Sequence, residues 1–338
     1  MKKKILITGA AGFLGKLAYE YFNKEFEIIT TDKNFTKLKN FYKADITNLI
    51  EIEDIILKEK PDIIFHFASE IFDKRNKRQI FDVNVNGTFN LIKIAEKNNV
   101  KNFIFTSTFS IYEKNYDYLV TEEEPPSCKN FYGLSKYEAE KKLMGFNGKI
   151  NIIIFRCPVI VDKTRAHRLA ILFEFIKSNA TVWIIGDGNN RIQIVSANDL
   201  FISIKKSLDL SGKHVFNIGS KKVLSLKKMF AFLIYEGKSK SKIRHLNKKF
   251  GLGVLNILSK LRLIDFIDYH NKMLVSNLVM DTSKIEQMLK FNTTKSNADL
   301  MFEAFEDYNN NSLSNSTGSS KKPRMGFFRI IKFFSKFI

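Results

Sequence analysis

The sequence predicts an α/β fold with a doubly wound parallel sheet, followed by a smaller mixed α/β lobe. Short apolar runs of strand character recur along the first half of the chain, and stretches of helical length separate them. The predicted strands are residues 5–7, 27–31, 63–66, 103–106 and 152–155, and the predicted helices between them are residues 14–22, 50–60, 85–98 and 134–144. Strands joined by helix-length connections favour parallel pairing, with helices on both faces of the sheet.

The pattern changes after residue 157, and this change predicts how the chain is divided. A looser α/β region follows, with short predicted strands at 181–186, 193–196 and 215–218. It is interpreted as a lobe that closes over a ligand lying on the first domain, with which it is partly interleaved. An Asn, Ser and Gly run without apolar periodicity then predicts a solvated linker. The predicted divisions are a first domain at residues 1–157, the smaller lobe at 158–308, the linker at 309–320 and a basic tail at 321–338.

Three glycines follow the first predicted strand at the spacing of a phosphate-binding turn. Gly9 permits a tight turn, Gly12 lets a pyrophosphate approach the backbone, and Gly15 lets the next helix pack close to the strand. The start of that helix offers unpaired N–H groups and a partial positive charge. The alternative is a merely flexible loop, but the strand before the turn and the helix after it favour a dinucleotide site.

An acidic residue at the end of the second predicted strand indicates which dinucleotide is bound. Asp32 lies 17 residues after Gly15, where a carboxylate accepts hydrogen bonds from the ribose hydroxyls of adenosine and repels a 2′-phosphate. The alternative is an aspartate that only forms a turn before Lys33. Together with the glycine turn, Asp32 favours NAD over NADP as the cofactor.

A tyrosine and a lysine four residues apart are candidates for proton transfer. On one helix, Tyr132 and Lys136 share a face, and the ammonium stabilises the phenolate, so the tyrosine exchanges protons closer to neutral pH than its ordinary pKa of about 10. Such a group is a base when an alcohol is oxidised and an acid when a ketone is reduced. Thr108, after a predicted strand, can hold the substrate oxygen. The alternatives are a solvated helix pair and a hydroxyl that only closes the strand.

Taken together, these motifs resemble the extended short-chain dehydrogenase/reductase superfamily, in its branch of NAD-dependent nucleotide-sugar epimerases and dehydratases, which has a Rossmann sheet. The resemblance covers residues 4–235 and includes the family's Asn-x-x-Gly-Thr motif at 84–88. It implies a catalytic role for Thr108, Tyr132 and Lys136, and substrate contacts for Thr108 and Arg191. It implies cofactor contacts at Gly9, Gly12, Phe13, Leu14, Gly15, Asp32, Asp45, Ile46, Phe67, Ala68, Ser69, Asn84, Thr106, Tyr132, Lys136 and Pro158.

Three departures from the family pattern bear on the substrate. Phe109 and Ser110 stand where the dehydratases carry an Asp-Glu pair after the catalytic Thr, which disfavours sugar dehydration. Cys157 stands where many 4-epimerases have an Asn that holds the nucleotide. A second phosphate-binding arginine is not evident at 265–280, where Lys272 is the candidate substitute.

The resemblance therefore implies an NAD-dependent epimerase that acts on a nucleotide sugar by transient oxidation of a secondary alcohol, for surface polysaccharide or glycolipid synthesis. One alternative is an NAD-dependent dehydrogenase or reductase of a sugar or a sterol-like alcohol. Another is a non-catalytic NAD-binding scaffold, against which the intact trio of Thr108, Tyr132 and Lys136 argues. Family members are commonly dimers, so a homodimer is expected.

The composition excludes several other classes of protein. The formal net charge is +20, from 55 Lys and Arg against 35 Asp and Glu. Without zinc-finger spacing, an arginine cluster or an RNA-binding aromatic motif, this charge does not indicate nucleic acid, but it would steer an anionic substrate. Cys128 and Cys157 are too few for a disulfide framework and fit a reducing cytosol. The five histidines form no metal-ligand pattern, so no metal site is expected.

The last 18 residues, 321–338, predict a membrane-surface segment. They hold six basic residues, five phenylalanines, three isoleucines and no acid. This pattern is typical of an interfacial helix drawn to anionic lipid, which would place a cytoplasmic enzyme peripherally at the inner face of the membrane. The alternative is docking on the chain's own lobe or on a second subunit. A second apolar, lysine-flanked helix at 252–263 is interpreted as packing within the lobe, with membrane contact as the alternative.

Overall fold

The computed structural model describes residues 2–71, 77–162, 169–260 and 275–310. Its central feature is a seven-stranded parallel sheet with the strand order β3-β2-β1-β4-β5-β6-β10. The strands of the described chain are β1 Lys4–Thr8, β2 Glu27–Asp32, β3 Phe41–Lys43, β4 Ile63–His66, β5 Asn102–Thr108, β6 Asn151–Cys157, β7 Val159–Val161, β8 Val182–Ile185, β9 Ile194–Ser196, β10 Lys213–Asn217 and β11 Ile243–Leu246. The predicted doubly wound parallel sheet is confirmed.

Helices connect these strands and cover both faces of the large sheet. They are α1 Phe13–Phe22, α2 Leu49–Glu59, α3 Lys77–Phe81, α4 Thr88–Lys97, α5 Phe131–Met144, α6 Ala170–Lys177, α7 Ala197–Ser207, α8 Leu226–Glu236, α9 Lys248–Lys260, α10 Ser283–Leu289 and α11 Asn297–Asn310. A π-helical turn, Asp82–Gly87, joins α3 directly to α4. No helix in the described ranges is both long and apolar enough to cross a membrane.

Alternation along each strand explains why both faces of the sheet are apolar. Ile5 and Ile7 on β1 point to the face covered by α1 and α7, whereas Leu6 between them points to the face covered by α2, α4 and α5. All three side chains are fully buried, and burial of a side chain of this size contributes about 1.5–3 kcal/mol. The strands of a parallel sheet that is buried on both faces are therefore continuous apolar runs in the sequence.

One predicted strand lies in a different sheet from the one expected. The sequence places residues 215–218 in the smaller lobe, but β10 pairs in parallel with β6 at the edge of the large sheet. Phe216 packs in the core on one face of that sheet, and Val215 packs against the core on the other. A strand with apolar side chains on both faces suits a sheet covered on both sides, so the chain returns to the first domain after β9.

The smaller lobe has its own core and is joined to the large sheet by backbone contacts. Its core lies among β8, α6, α8 and α11 and includes Phe173, Leu233 and Phe305. The segment after residue 275 joins this lobe to the loop that follows β5, because the Val120 N–H donates to the Val279 carbonyl at 2.9 Å. The order of the large sheet reverses between β1 and β4, and in doubly wound sheets ligands bind at the carboxyl ends of the strands at that point.

Candidate cofactor and catalytic site

The glycine turn lies at the reversal point and is closed by backbone contacts. Gly9 has a φ of +73°, and a Cβ added to it would lie 2.5 Å from the Ala68 nitrogen, at the end of the neighbouring strand. A Cβ on Gly15 would lie 2.3 Å from the Gly9 carbonyl oxygen. The tight turn and the close helix packing expected at these glycines are both present. This bare backbone cradle at the amino end of α1 fits the diphosphate of a dinucleotide.

Asp32, the predicted ribose contact, lies beside this cradle. Its Oδ2 accepts the Ala11 N–H at 3.0 Å, and its Oδ1 accepts the Asn34 N–H at 2.8 Å. Each carboxylate oxygen can accept a second hydrogen bond, so the group is oriented by the protein and still able to bind hydroxyls. Two predicted cofactor contacts follow β3. Ile46 packs against Gly87, and Asp45 borders a cavity of about 490 Å³.

Behind the cradle, His66 at the end of β4 is fully buried in a directed chain of hydrogen bonds. The Thr88 hydroxyl donates to the Asn84 carbonyl at 2.7 Å, so its oxygen accepts from His66 Nε2 at 2.8 Å. His66 Nδ1 then accepts from the Thr8 hydroxyl at 2.7 Å, and the Thr8 oxygen accepts the Ala68 N–H at 3.4 Å. Burial, with a smaller effect from Lys136, holds the pKa of His66 well below its usual range. The His66 imidazole is therefore neutral, and its hydrogen bonds connect β4 to Thr8 on β1 and to Thr88, which follows the π-helical turn.

Asn84, predicted to contact the cofactor, uses its side chain inside the protein. Its Oδ1 accepts from the Glu70 N–H at 2.8 Å and from the Ser69 hydroxyl at 3.2 Å. Its Nδ2 donates to the Glu70 carbonyl and to the Ser135 hydroxyl, both at 2.9 Å. Two donors and two acceptor positions are thus filled by protein groups. The side chain joins the loop after β4, which includes predicted cofactor contacts, to helix α5.

Helix α5 begins directly against the loop that follows Thr108. A Cβ on Gly133 would lie 2.4 Å from the Ser110 carbonyl oxygen, so only glycine permits this approach. The Asn130 side chain caps the helix by accepting the Gly133 N–H at 2.7 Å. The Thr108 oxygen accepts the Ser110 N–H at 3.1 Å. The structure therefore brings the start of α5, which carries the half-buried Tyr132, against the loop that follows Thr108. Asn130 and Gly133 position this helix, and the sequence reasoning did not identify either of them.

Lys136, one turn after Tyr132, is almost completely buried. Its ammonium lies 3.8 Å from the centre of the Phe105 ring. Burial lowers the pKa of Lys136 to about 7, and the Glu140 carboxylate opposes that shift. Cys157, at the end of β6, is also buried, and burial raises the pKa of its thiol to about 12. The thiol is therefore neutral, and Glu140 is the group that favours the charged form of Lys136.

Glu140 belongs to a buried network that the sequence reasoning did not identify. The Arg156 guanidinium donates to Glu140 Oε2 from Nε at 3.1 Å and from Nη2 at 2.8 Å. It also donates from Nη1 to the Tyr112 hydroxyl at 2.5 Å and to the Glu122 carbonyl at 2.8 Å. The available signal was the spacing of Tyr132, Lys136 and Glu140, since residues four apart share one face of a helix.

The remaining predicted cofactor contacts lie around the same edge of the large sheet. Phe13 and Leu14 begin α1, Phe67 lies between His66 and Ala68, Thr106 is on β5, and Pro158 stands between β6 and β7.

On the lobe side, Arg191 is held through its backbone, because its N–H donates to Asn277 Oδ1 at 2.9 Å. Within the described ranges its guanidinium makes no ion pair. Lys272, the candidate second phosphate contact, lies outside the described residues.

Comparisons with known proteins show what the chain is similar to in sequence and in fold. The N-acetyl-α-D-glucosaminyl-diphospho-ditrans,octacis-undecaprenol 4-epimerase of Escherichia coli O157:H7 is 28% identical over 277 residues, covering 77% of this chain and 81% of that protein. The putative UDP-glucose 4-epimerase of Methanocaldococcus jannaschii is 27% identical, covering 69% of this chain and 82% of that protein. The Bordetella bronchiseptica enzyme WbmG, crystallised with NAD and UDP, has the same fold, with a TM-score of 0.74 at 19% identity over 94% of this chain and 97% of that one.

A family model provides the assignment. The model of the NAD dependent epimerase/dehydratase family matches residues 5–219, from the first residues of β1 to just beyond β10. The match includes the glycine cradle, Asp32, the Thr108 loop and helix α5. The family resemblance and the NAD cofactor predicted from the sequence are thereby confirmed, and the chain belongs to the NAD dependent epimerase/dehydratase family.

Proposed function

We propose that this protein is an NAD-dependent epimerase that acts on a nucleotide sugar, in surface polysaccharide or glycolipid synthesis. The observation that supports the proposal is the close approach of Gly133 to the Ser110 carbonyl, which puts the start of the helix that carries Tyr132 and Lys136 against the loop that follows Thr108. Two relatives named 4-epimerases support the reaction type, and one of them is named for a diphosphate-linked sugar.

The residues divide the proton chemistry among three roles. When bound, NAD supplies a reversible hydride acceptor for the carbon of a secondary alcohol. Tyr132 removes the hydroxyl proton during oxidation and returns it during reduction. The Thr108 hydroxyl, which donates to Ser110 Oγ at 2.9 Å in this structure, turns its proton to the reacting oxygen when substrate binds and keeps that oxygen near Tyr132. Lys136, whose charge Glu140 favours, stabilises the negative charge that develops on the Tyr132 oxygen.

The surroundings of Thr108 favour epimerisation over dehydration. Phe109 and Ser110 follow it, both are buried, and neither is an acid. Elimination of water from a sugar needs a second acid and base at the neighbouring carbon, and no carboxylate occupies these two positions. An epimerase retains its NAD through the cycle, whereas the alternative dehydrogenase must exchange it at each turnover.

Replacement of Tyr132 tests the proposal. Tyr132→Phe should lower turnover of UDP-linked sugars about 10²–10⁴-fold, because one positioned acid/base group is lost. Binding of NAD, measured after denaturing extraction, should be retained. Tyr137→Phe on the same helix is the matched control and should leave turnover unchanged. Normal turnover in Tyr132→Phe would refute the acid/base role, and steady accumulation of NADH by the unmodified enzyme would favour the dehydrogenase.

We further propose a smaller lobe that is interleaved with the first domain, because β10 rejoins the large sheet. The homodimer, the cytoplasmic site and the membrane role of the tail are proposed as the sequence gives them. Residues 309–310 end helix α11, whereas the rest of the proposed linker and the tail, 321–338, lie outside the described residues. Sedimentation with phosphatidylglycerol vesicles should be weakened by deletion of 321–338. Unchanged sedimentation would remove the tail proposal and would leave the enzymatic one intact.

A further inference from the structure

Helix α9 in the smaller lobe packs on one side and presents an apolar stripe on the other. It packs through Gly251, where a Cβ would lie 2.8 Å from the Ile185 side chain. Phe250, Val254 and Ile257 follow at spacings of four and three residues, which places them on one face. Their exposed fractions are 64%, 36% and 59%. A surface helix normally turns charged residues to solvent, so this outward stripe needs another explanation.

The chain around this stripe is strongly and uniformly basic. Residues 237–260, which include β11 and α9, hold six lysines and one arginine and no Asp or Glu. The lysines whose side chains the structure describes are all exposed, and the described ranges give none of them an ion pair. These lysines are Lys238, Lys240, Lys242, Lys248 and Lys249.

We propose that this surface, the α9 face, docks on an anionic lipid bilayer. The apolar stripe enters the boundary between headgroups and acyl chains, and the surrounding lysines meet the anionic headgroups. This proposal goes beyond the proposed reaction and does not depend on it. It takes up the alternative that the sequence leaves open for residues 252–263, for which packing within the lobe is the favoured interpretation.

Charge argues against two other occupants of the α9 face, the tail of this chain and a second copy. The tail at 321–338 has six basic residues and no acid, so it would be repelled from a basic surface. A symmetric contact with a second copy would place the same lysines opposite one another. An anionic membrane satisfies both the lysines and the apolar stripe.

Docking of the α9 face would also bring the substrate side of the lobe near lipid. β11 pairs with β8, and β8 continues into the loop that leads to Arg191. The Gly186 N–H of that loop donates to the Leu246 carbonyl at 2.8 Å, next to the start of α9. The loop that leads to Arg191, the predicted substrate contact, is thus attached directly to the proposed docking surface.

A fluorescent label on the α9 face tests the proposal independently of the tail. Full-length protein with Cys128→Ser and Val254→Cys is labelled with an environment-sensitive dye, and Leu57→Cys on α2, with an exposed fraction of 52%, gives the matched control. Vesicles of phosphatidylcholine with phosphatidylglycerol should shift the emission at position 254 to the blue and leave position 57 unchanged. The shift should disappear in high salt and with phosphatidylcholine alone.

A pair of substitutions gives a second measurement. Phe250→Ser with Ile257→Ser should reduce the amount of protein that sediments with anionic vesicles about 10-fold, because two apolar side chains that would insert into the bilayer are lost. Ile50→Ser with Leu57→Ser on α2 should not, and all variants should keep normal turnover. Sedimentation without a spectral shift at position 254 would overturn the proposal. So would a fall in oligomer mass in the α9 variant, which would assign the face to a second copy, or binding of an acidic protein in place of vesicles.

Discussion

The cofactor edge of the large sheet and the substrate side of the smaller lobe hold their functional residues in different ways. At the cofactor edge, backbone contacts at Gly9 and Gly15 and the filled hydrogen bonds of Asn84 fix the loops in place. In the lobe, Arg191 is fixed through its backbone while its guanidinium has no ion pair within the described ranges. The first region is organised before any ligand arrives, whereas the second leaves its charged group available to one.

The buried network behind α5 is the strongest test of the rigid region. Glu140→Ala should lower the free energy of unfolding by about 3–5 kcal/mol, because the Arg156 charge is left buried without its partner. Urea unfolding followed by circular dichroism measures this change. Replacing both Glu140 and Arg156 by Met should restore most of the stability. If Glu140→Ala were as stable as the unmodified protein, the cofactor edge would be less rigid than its contacts indicate.

Substitution of two glycines compares how tightly the backbone is packed at the cofactor edge and in the smaller lobe. Gly15→Ala places a Cβ 2.3 Å from the Gly9 carbonyl oxygen and should cost about 1–3 kcal/mol, with weaker NAD binding. Gly253→Ala on α9 meets no atom within 4 Å and should instead stabilise the protein by up to about 1 kcal/mol, because Ala favours a helix. Thermal unfolding with and without added NAD measures both. Equal responses at the two positions would contradict the comparison.

Arg191 tests the region that is left available to a ligand. Arg191→Gln should raise KM for the nucleotide sugar about 10–100-fold with little change in kcat, because a hydrogen bond to a charged group contributes about 1.5–3 kcal/mol. Stability should be unchanged, since no ion pair is lost within the described residues. Steady-state kinetics measure the effect, and Lys228→Gln on α8 is an exposed control. A variant with lower kcat and normal KM would assign Arg191 a different role.

The pH dependence of stability gives the smallest effect. His66 is neutral in the folded state, with a pKa below its usual value of 6.5, so the unfolded chain binds the extra proton first as pH falls. Its contribution to stability is present above pH 6.5 and is lost below it, at up to about 1.4 kcal/mol per pH unit. In His66→Leu, unfolding between pH 7.5 and 5.5 should lose this slope. His245→Gln, at an exposed position, should keep this pH dependence of stability. An unchanged slope in His66→Leu would contradict a neutral His66 in the folded state.

Much of the cofactor edge was predictable because its signals are local. The strand before the glycine turn and the helix after it fix the roles of Gly9 and Gly15 within a few residues. The partner of β10 was not predictable in this way, since a short apolar strand does not encode which sheet it joins. The ion pair of Glu140 with Arg156 was missed for a similar reason, because it joins a helix to a strand 16 residues away. The outward stripe of α9 was interpreted as packing, since composition alone does not show which side of a helix is covered.

The π-helical turn Asp82–Gly87 gives the site an unusual sensitivity to chain length. Such a turn holds one residue more than a regular α-helical turn. A single deletion there would restore regular winding and leave α3 and α4 in phase, because the wider turn is what absorbs the surplus residue. The residues of the turn itself would change direction, so Asn84 would lose its hydrogen bonds with Ser69 and Ser135, and the tie between the loop after β4 and helix α5 would be cut without any change in their own sequences. The surplus residue thus sets where the side chains of the turn point, while the helices on either side keep their orientation.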